Sequence, residues 1–86
     1  MRYFVYLLIS GTNDKSVTYV GYTSNIKNRV TLHNTSKGAK FTKGRQWKLI
    51  YKKAYNTKSS AMRNEYLLKK NIKKRSIIKK KFLKNI

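Results

Sequence analysis

Acidic residues are almost absent from this chain, and this scarcity constrains its folded state more than any other feature of the sequence. Asp14 and Glu65 are the two acids among 86 residues, against 22 lysines and arginines, which gives a net charge of +20. Internal ion pairing can therefore offset little of the self-repulsion of a folded state. A polyanion bound to the surface would relieve that repulsion.

Length and composition predict one small folded domain. Hydrophobic residues make up 40% of the chain and aromatic residues 13%, which is too much for a disordered basic tail. A chain of 86 residues has room for one core, and without proline no linker divides it. We expect a single domain over residues 1–86, with a core over 3–75 and a basic C-terminal helix over 73–86.

The distribution of charge favours a nucleic acid over a membrane as the partner. Lysines and arginines are spread along the whole chain instead of lying on one amphipathic helix. The longest apolar run, residues 4–9, is too short for a membrane span or a signal peptide, and no cysteine is present. We expect a soluble cytoplasmic protein with no membrane partner. The sequence leaves its oligomeric state open.

Two apolar runs and a helical pattern fill the first part of the chain. The runs over 3–9 and 17–22 are separated by turn residues at 11–14, as in a β-hairpin. The cluster Thr23 to Asn25 supplies a helix N-cap, and the pattern after it predicts a helix over 24–34. One face of that helix carries Ile26, Val30 and His33.

The second part of the chain predicts one strand and two helices. Alternation over 46–54 indicates a strand with Trp47, Leu49 and Tyr51 on one side and Lys48, Ile50 and Lys52 on the other. Thr57, Ser59 and Ser60 can cap a helix that carries Ala61, Met62, Glu65, Leu68 and Ile72, and a last helix carries Ile78, Phe82 and Ile86. The predicted class is α+β, with a small three-stranded antiparallel sheet flanked by helices in the order ββαβαα.

The residue inventory excludes most ways of cutting a phosphodiester bond. Two-metal nucleases need several carboxylates, and two acids are too few. Acid-base ribonuclease chemistry with two histidines fails because His33 is the only histidine. No small-Ser-small turn exposes a serine nucleophile. What remains is a site made of one carboxylate, one metal ion, arginine and tyrosine.

Residues for such a site are present. Tyr6 and Tyr19 lie in the two hairpin strands and can point their hydroxyls to one face. Arg29 and His33 are four residues apart and therefore neighbours on one side of a helix. Glu65 would be the one anionic ligand of a hard divalent cation.

Five segments carry a resemblance to a known family. The segments F-V-Y (Phe4 to Tyr6) and Y-V-G (Tyr19 to Gly21) resemble the two half-motifs of the GIY-YIG endonuclease superfamily. The likeness continues through R-x-x-x-H-N (Arg29 to Asn34), G-A-K-F-T-K-G-R (Gly38 to Arg45) and A-M-R-N-E-Y-L-L-K-K around Glu65. The likeness covers residues 3 to about 75. Within the family, these segments are most similar to the small stand-alone bacterial branch, the UPF0213-like proteins.

The resemblance implies roles for particular residues. Arg29 and Glu65 occupy the places of an essential arginine and an essential glutamate, and Tyr6 and Tyr19 match the two motif tyrosines. His33 matches a histidine that some members carry. The resemblance further implies Mg²⁺ or Mn²⁺ as cofactor and hydrolysis of a phosphodiester bond.

Two positions depart from the family pattern, and other positions are expected to contact nucleic acid. Phe4 stands where the first half-motif has glycine, and the late asparagine of some members has no assigned counterpart here, although Asn71 is available. The missing Cβ of Gly21 would let a phosphate approach the backbone near Tyr19. Tyr22 is left open. The residues expected to grip the phosphate backbone are Lys40, Lys43, Arg45, Lys69 and Lys70.

The hypothesis is a metal-dependent endonuclease that hydrolyses DNA, with RNA also possible and DNA repair as a setting. Glu65 holds the metal, Arg29 neutralises charge on the phosphorane, and Tyr6 or Tyr19 positions or deprotonates the attacking water. His33 could relay the proton. The alternatives are a non-catalytic basic nucleic-acid-binding module and an accessory domain of a repair complex. In a non-catalytic module Tyr6, Tyr19, Arg29 and Glu65 should not converge.

Overall fold

Three strands and three α-helices follow one another in the predicted order in a computed structural model, which describes residues 2–11 and 15–84. The predicted α+β class with the order ββαβαα is confirmed. Asp14 with the rest of the hairpin turn at 12–14, and Ile86, lie outside the described residues. The elements are β1 (Tyr3–Ser10), β2 (Val17–Thr23), α1 (Ile26–Asn34), β3 (Lys48–Tyr55), α2 (Lys58–Lys70) and α3 (Ile72–Lys84), with a short 3₁₀ turn at Lys40–Thr42.

The sheet places β1 in the centre, with antiparallel β2 and β3 on either side. In the β1–β2 register Tyr6 is opposite Gly21 and Leu8 is opposite Tyr19. Because side chains alternate between the faces of a strand, Tyr6 and Tyr19 lie on the same face as diagonal neighbours.

Both faces of the central strand are covered. On one face Val5 and Leu7 pack with Ala61 and Leu68 of α2. On the other face the buried residues are Tyr6, Leu8 and Trp47, with Val17, Tyr19, Ile26 and Val30 packed against them. This double coverage explains why β1 reads as an unbroken apolar run instead of an alternating one. The buried residues of one face are therefore aliphatic, whereas the other face buries a tyrosine and a tryptophan.

The helix N-termini form where the sequence predicts them. The side chain of Asn25 accepts a hydrogen bond from the backbone N–H of Asn28 at 3.0 Å, and α1 begins at the next residue. Thr57 accepts from the backbone N–H of Ser60 at 3.1 Å and caps α2. Each bond satisfies a backbone donor that has no partner within its helix.

The predicted alternation along the third strand is wrong at Ile50. Leu7 pairs with Tyr51 while Leu8 pairs with Leu49, so Ile50 is an extra residue in a β-bulge. The bulge turns Ile50 and Tyr51 to the same side, and both pack against the Val5 and Leu7 core. Trp47 is buried as predicted, but it precedes the strand and packs on the opposite face.

The predicted continuation of the second helix to Ile72 is also wrong. Helix α2 ends at Lys70, and Asn71 is its C-cap. The Asn71 side chain accepts a hydrogen bond from the backbone N–H of Lys74 at 3.0 Å. Asn71 thus also caps the N-terminus of α3. Ile72 is therefore the first residue of α3 and is 71% exposed. Among the described helices, none has the length and apolar character needed to cross a bilayer.

Candidate active site

A hydrogen-bonded tyrosine and histidine form the centre of the polar face of the sheet. The Tyr6 side chain is 1% exposed and His33 is fully buried. The Tyr6 hydroxyl lies 2.9 Å from Nε2 of His33. The helical position of His33, one turn after Arg29 on α1, brings the imidazole over β1. The two predicted site residues are therefore in direct contact.

The other imidazole nitrogen contacts a threonine that the sequence analysis did not assign to the site. His33 Nδ1 lies 2.8 Å from Oγ1 of Thr42, and that hydroxyl donates to the backbone carbonyl of Ala39 at 2.7 Å. Thr42 is fully buried on the 3₁₀ turn. A continuous line of hydrogen bonds thus runs from Tyr6 through His33 to the turn.

Two glycines make room for this pair. A Cβ at Gly21 would overlap the hydroxyl and Cζ of Tyr6, and a Cβ at Gly38 would overlap Nδ1 of His33. We predicted that the space left at Gly21 admits a phosphate, but the structure fills that space with the Tyr6 hydroxyl. Phosphate contact with the Gly21 backbone stays a prediction.

Arg29 brings a partly unsatisfied positive charge to the site. Its Nε is buried and has no hydrogen-bond partner within residues 2–11 and 15–84. An unsatisfied buried donor costs about 1–3 kcal/mol. The guanidinium lies close enough to Tyr6 to favour its ionised form and close enough to His33 to disfavour the imidazolium. A donor of this kind is suited to an anionic ligand.

Burial sets the resting protonation of the pair. Desolvation raises the pKa of Tyr6 to about 12; nearby Arg29 opposes this shift, while Tyr19 and Glu65 add to it. Desolvation, followed by the charge of Arg29, lowers the pKa of His33 below its ordinary value of 6.5. At neutral pH Tyr6 is therefore a protonated phenol, and His33 is a neutral imidazole.

Tyr19 and an unpredicted phenylalanine form the solvent side of the site. The half-buried Tyr19 ring lies 5.0 Å from the His33 ring, centre to centre. Phe41 stacks on Tyr19 at 6.1 Å with 19° between the ring planes, although Phe41 is 59% exposed. Tyr22, which the sequence left open, packs on the opposite face of the sheet with the Val5 core.

Glu65 lies on α2 between two buried residues of that helix. It follows Ala61 by one turn and precedes Leu68, so it shares their sheet-facing side. Its side chain is 18% exposed and pairs with Lys69 at 3.6 Å. The negative charge of Glu65 is close enough to raise the pKa of Tyr6. Glu65 therefore belongs to the surroundings of the Tyr6 hydroxyl.

The donor set fits a hard cation completed by substrate oxygens. No group of three histidine, cysteine or carboxylate side chains gathers in the described part of the chain, so these residues build no all-protein cage. Mg²⁺ is commonly held by one or two carboxylates together with waters and substrate phosphates. Glu65 can supply the carboxylate.

The predicted phosphate-gripping residues are all exposed. Lys40 begins the 3₁₀ turn, and Lys43 and Arg45 follow it in the loop before β3. Lys69 shares one surface groove with Tyr19 and Phe41, and Arg75 of α3 lines the same groove. Lys70 lies 4.7 Å from the centre of the Tyr66 ring. The structure thus brings Lys69 next to the aromatic side of the site.

Comparison with known families decides the membership of this chain. Residues 2–81 match the model of the GIY-YIG catalytic domain. The chain belongs to the GIY-YIG family. Proteins of the GIY-YIG family are generally endonucleases that act on nucleic acid and use a divalent metal ion. The predicted resemblance is confirmed.

Relatives of this GIY-YIG chain occur in several bacteria. The UPF0213 protein OB0043 of Oceanobacillus iheyensis is 42% identical over 69 residues, which is 79% of this chain and 77% of that protein. The UPF0213 protein SH2523 of Staphylococcus haemolyticus is 45% identical over 65 residues, 74% and 78% of the two chains. The solution NMR structure of the UPF0213 protein BH0048 of Bacillus halodurans is 33% identical, with a TM-score of 0.48 and coverage of 90% of this chain and 83% of that one.

Proposed function

We propose that this GIY-YIG protein is a metal-dependent endonuclease that hydrolyses phosphodiester bonds in DNA. The observation that carries the proposal is the buried Nε of Arg29, which has no partner among the described residues and lies beside the hydrogen-bonded Tyr6 and His33. The fold itself gains nothing from an unsatisfied donor. A phosphate oxygen would satisfy it.

Arg29 is the electrostatic partner of the reacting phosphate in this proposal. Hydrolysis adds negative charge to the phosphoryl oxygens as the phosphorane forms, and a fixed guanidinium stabilises that charge. A guanidinium whose position is already fixed also needs little reorganisation when the charge develops. A guanidinium offers hydrogen-bond donors and no acceptor, so Arg29 is not the base.

Tyr6 and His33 form a proton relay. A phenol with a pKa of about 12 holds its proton at neutral pH, so Tyr6 can accept a proton from water only as it loses its own. Its hydroxyl contacts Nε2 of His33, which can receive that proton. In one step the water proton moves to the Tyr6 oxygen, the Tyr6 proton moves to Nε2, and the resulting hydroxide attacks phosphorus. Tyr19, which is more exposed, positions the attacking water.

Glu65 is the protein ligand of the metal ion. A bound Mg²⁺ or Mn²⁺ would polarise a phosphate oxygen and neutralise charge on the leaving oxygen. The pair between Glu65 and the exposed Lys69 is long, at 3.6 Å, and leaves the carboxylate available for such a ligand.

The basic surface holds the substrate backbone. Lys40, Lys43 and Arg45 lie exposed on and after the 3₁₀ turn that carries Phe41, and Lys69 and Lys70 lie exposed at the end of α2. Such contacts fix the position of the strand without reading its sequence. RNA presents the same phosphates and is an alternative substrate. We further propose a cytoplasmic location and a role in DNA repair.

The alternative is a basic module that binds nucleic acid without cutting it. That reading predicts no convergence of tyrosine, arginine, histidine and carboxylate. The contact of Tyr6 with His33, and the effects of Arg29 and Glu65 on the Tyr6 hydroxyl, support the nuclease instead.

A cleavage panel tests the proposal. End-labelled single-stranded, duplex and branched DNA and single-stranded RNA would be incubated with the wild type in Mg²⁺, in Mn²⁺ and in EDTA. Arg29→Ala and Glu65→Ala are expected to lower the cleavage rate by about 100-fold or more, the loss typical of a missing charge-stabilising group. Arg63→Ala is the matched control, because Arg63 is an exposed arginine of α2 outside the site.

Each outcome of the panel is informative. Wild type that binds these substrates but cuts none of them with either metal would establish the binding module. Full activity in Glu65→Ala would leave a nuclease but remove the assigned metal ligand. Full activity in EDTA would remove the metal from the reaction.

A further inference from the structure

The hydroxyl of Thr42 lies between two polar groups, a backbone carbonyl and the imidazole of His33. It lies 2.7 Å from the carbonyl oxygen of Ala39 and 2.8 Å from Nδ1 of His33, and the threonine is fully buried. Two oxygens at 2.7 Å require a proton between them, and a carbonyl has none to give. The Thr42 proton therefore points at Ala39.

This assignment fixes the protons along the rest of the line. Because the Thr42 hydroxyl donates its proton to Ala39, its oxygen can only accept from His33. The hydrogen bond between them therefore needs a proton on Nδ1. A neutral imidazole carries one proton, so Nε2 is then an acceptor. The 2.9 Å contact of Nε2 with Tyr6 is completed by the phenolic proton. Every proton in the line points away from Tyr6.

We infer that Thr42 is a positioning residue that holds His33 in the Nδ1–H tautomer and so keeps Nε2 ready to receive the proton of Tyr6. The inference rests on the proposed function for its catalytic meaning, because the relay runs from Tyr6 to His33. Tautomer control through the second ring nitrogen is a common way to orient a working histidine.

The turn that carries Thr42 is anchored on both sides. The backbone N–H of Thr42 donates to the carbonyl of Ala39 at 3.0 Å, and the carbonyl of Thr42 accepts from the indole N–H of Trp47 at 3.0 Å. Gly38 lets the Nδ1 edge of His33 approach, since a Cβ there would overlap that nitrogen. The acceptor for Nδ1 therefore has a fixed position.

Without the Thr42 hydroxyl, His33 would no longer be held in the Nδ1–H tautomer. In Thr42→Val the shape of the side chain is nearly kept, but Nδ1–H faces a methyl group in a buried site and loses its acceptor. The Nε2–H form, which water favours for a neutral imidazole, would then donate to the Tyr6 oxygen. Tyr6 could no longer pass its proton to Nε2.

Nitrogen-15 NMR tests the tautomer directly and without substrate. His33 is the single histidine of the chain, so both ring nitrogens can be assigned without ambiguity. At pH 8 we expect a protonated Nδ1 and an unprotonated Nε2 in the wild type and in Thr42→Ser, which keeps the hydroxyl. Thr42→Val is expected to reverse the two signals.

Activity gives a second and separable readout. Thr42→Val is expected to lower kcat by about 100-fold, the lower end of what a positioned acid or base contributes, with KM unchanged and with Thr42→Ser near wild type. A protonated Nε2 in the wild type would overturn the inference whether or not Thr42→Val folds. A reversed tautomer with undiminished kcat would overturn the role of Thr42 in the relay. An inactive wild type with the expected tautomer would overturn the proposed function and leave the tautomer assignment standing.

Discussion

The phenolic oxygen of Tyr6 occupies the space above Gly21 on the neighbouring strand. This close approach ties the position of the hydroxyl to one residue type, since even a methyl group on Gly21 would overlap the oxygen and Cζ. The tyrosine is buried on its other sides, so its ring has no free direction in which to move.

Replacing Gly21 by alanine should therefore disturb both stability and the site. We expect Gly21→Ala to lower the free energy of unfolding by about 1–3 kcal/mol, as for other insertions into a packed core. Urea denaturation followed by circular dichroism measures the change. Ser24→Ala, an exposed position just after β2, serves as the control and should stay within about 0.5 kcal/mol of the wild type. Equal stability of the two variants would contradict the packing argument.

The lowered pKa of His33 predicts a loss of stability in mild acid. Between its ordinary value of 6.5 and the lowered value, the unfolded chain binds a proton that the folded chain does not. The free energy of unfolding should thus fall as pH drops below about 6.5, by at most about 1.4 kcal/mol per pH unit, and level off below the folded pKa. Above about pH 7.5 His33 has no effect on the pH dependence.

Urea unfolding at constant ionic strength from pH 8 to pH 5 measures this slope. The chain has one histidine, so His33→Gln should remove the component between pH 6.5 and 5. The same slope in both proteins would show that another group titrates there.

Lys43 in the loop after the 3₁₀ turn should contribute to the salt dependence of binding. If Lys43 neutralises one phosphate, Lys43→Gln should reduce the slope of log K against log salt by about 0.9 for duplex DNA or about 0.7 for a single strand. Fluorescence anisotropy in EDTA measures binding without cleavage. Lys53→Gln on the edge strand β3 is the control, and its slope should match the wild type. An unchanged slope for Lys43→Gln would remove Lys43 from the interface.

Arg75 should stabilise the junction of α2 and α3. Its Nε donates to the carbonyl of Leu68 at 3.1 Å and its Nη2 to that of Lys69 at 2.9 Å, where α2 ends. Arg75→Met keeps the aliphatic stem but removes both hydrogen bonds, although the Leu68 carbonyl still accepts from the backbone N–H of Asn71 at 3.1 Å. We expect a loss of about 1–2 kcal/mol in the free energy of unfolding. Thermal and urea denaturation would check this, with the exposed Lys73→Met expected within about 0.5 kcal/mol of the wild type.

The parts of the fold that depend on a few neighbouring residues could be predicted from the sequence. The N-cap at Asn25 and the N-cap at Thr57 are set by a side chain and a backbone N–H three residues later. The bulge at Ile50 depends on pairing with a strand about forty residues away, and no local preference encodes it. The end of α2 at Lys70 was not predicted, because the apolar period continues across Asn71 to Ile72. Asparagine is itself a capping signal at that position.

The candidate site shows the same division. Tyr6, Tyr19, Arg29 and His33 could be singled out because their spacing on strands and a helix places them together. Thr42 and Gly38 lie within the G-A-K-F-T-K-G-R segment, but their contact with His33 exists only once the turn has closed over the imidazole. Threonine in a loop carries no sign of such a partner. The packing of Gly21 against the Tyr6 hydroxyl was not predicted, because the residue opposite Gly21 was not known.

The central strand has a consequence for how this protein can vary. Val5 and Leu7 serve the apolar core, while Tyr6, between them, serves the site. If β1 shifted by one residue relative to β2 and β3, its side chains would exchange faces. The phenol would then be buried among aliphatic side chains, and Val5 and Leu7 would face the imidazole. Such a chain would lose its core together with its chemistry. Pairing of β1 with its neighbours therefore also fixes the position of the Tyr6 hydroxyl.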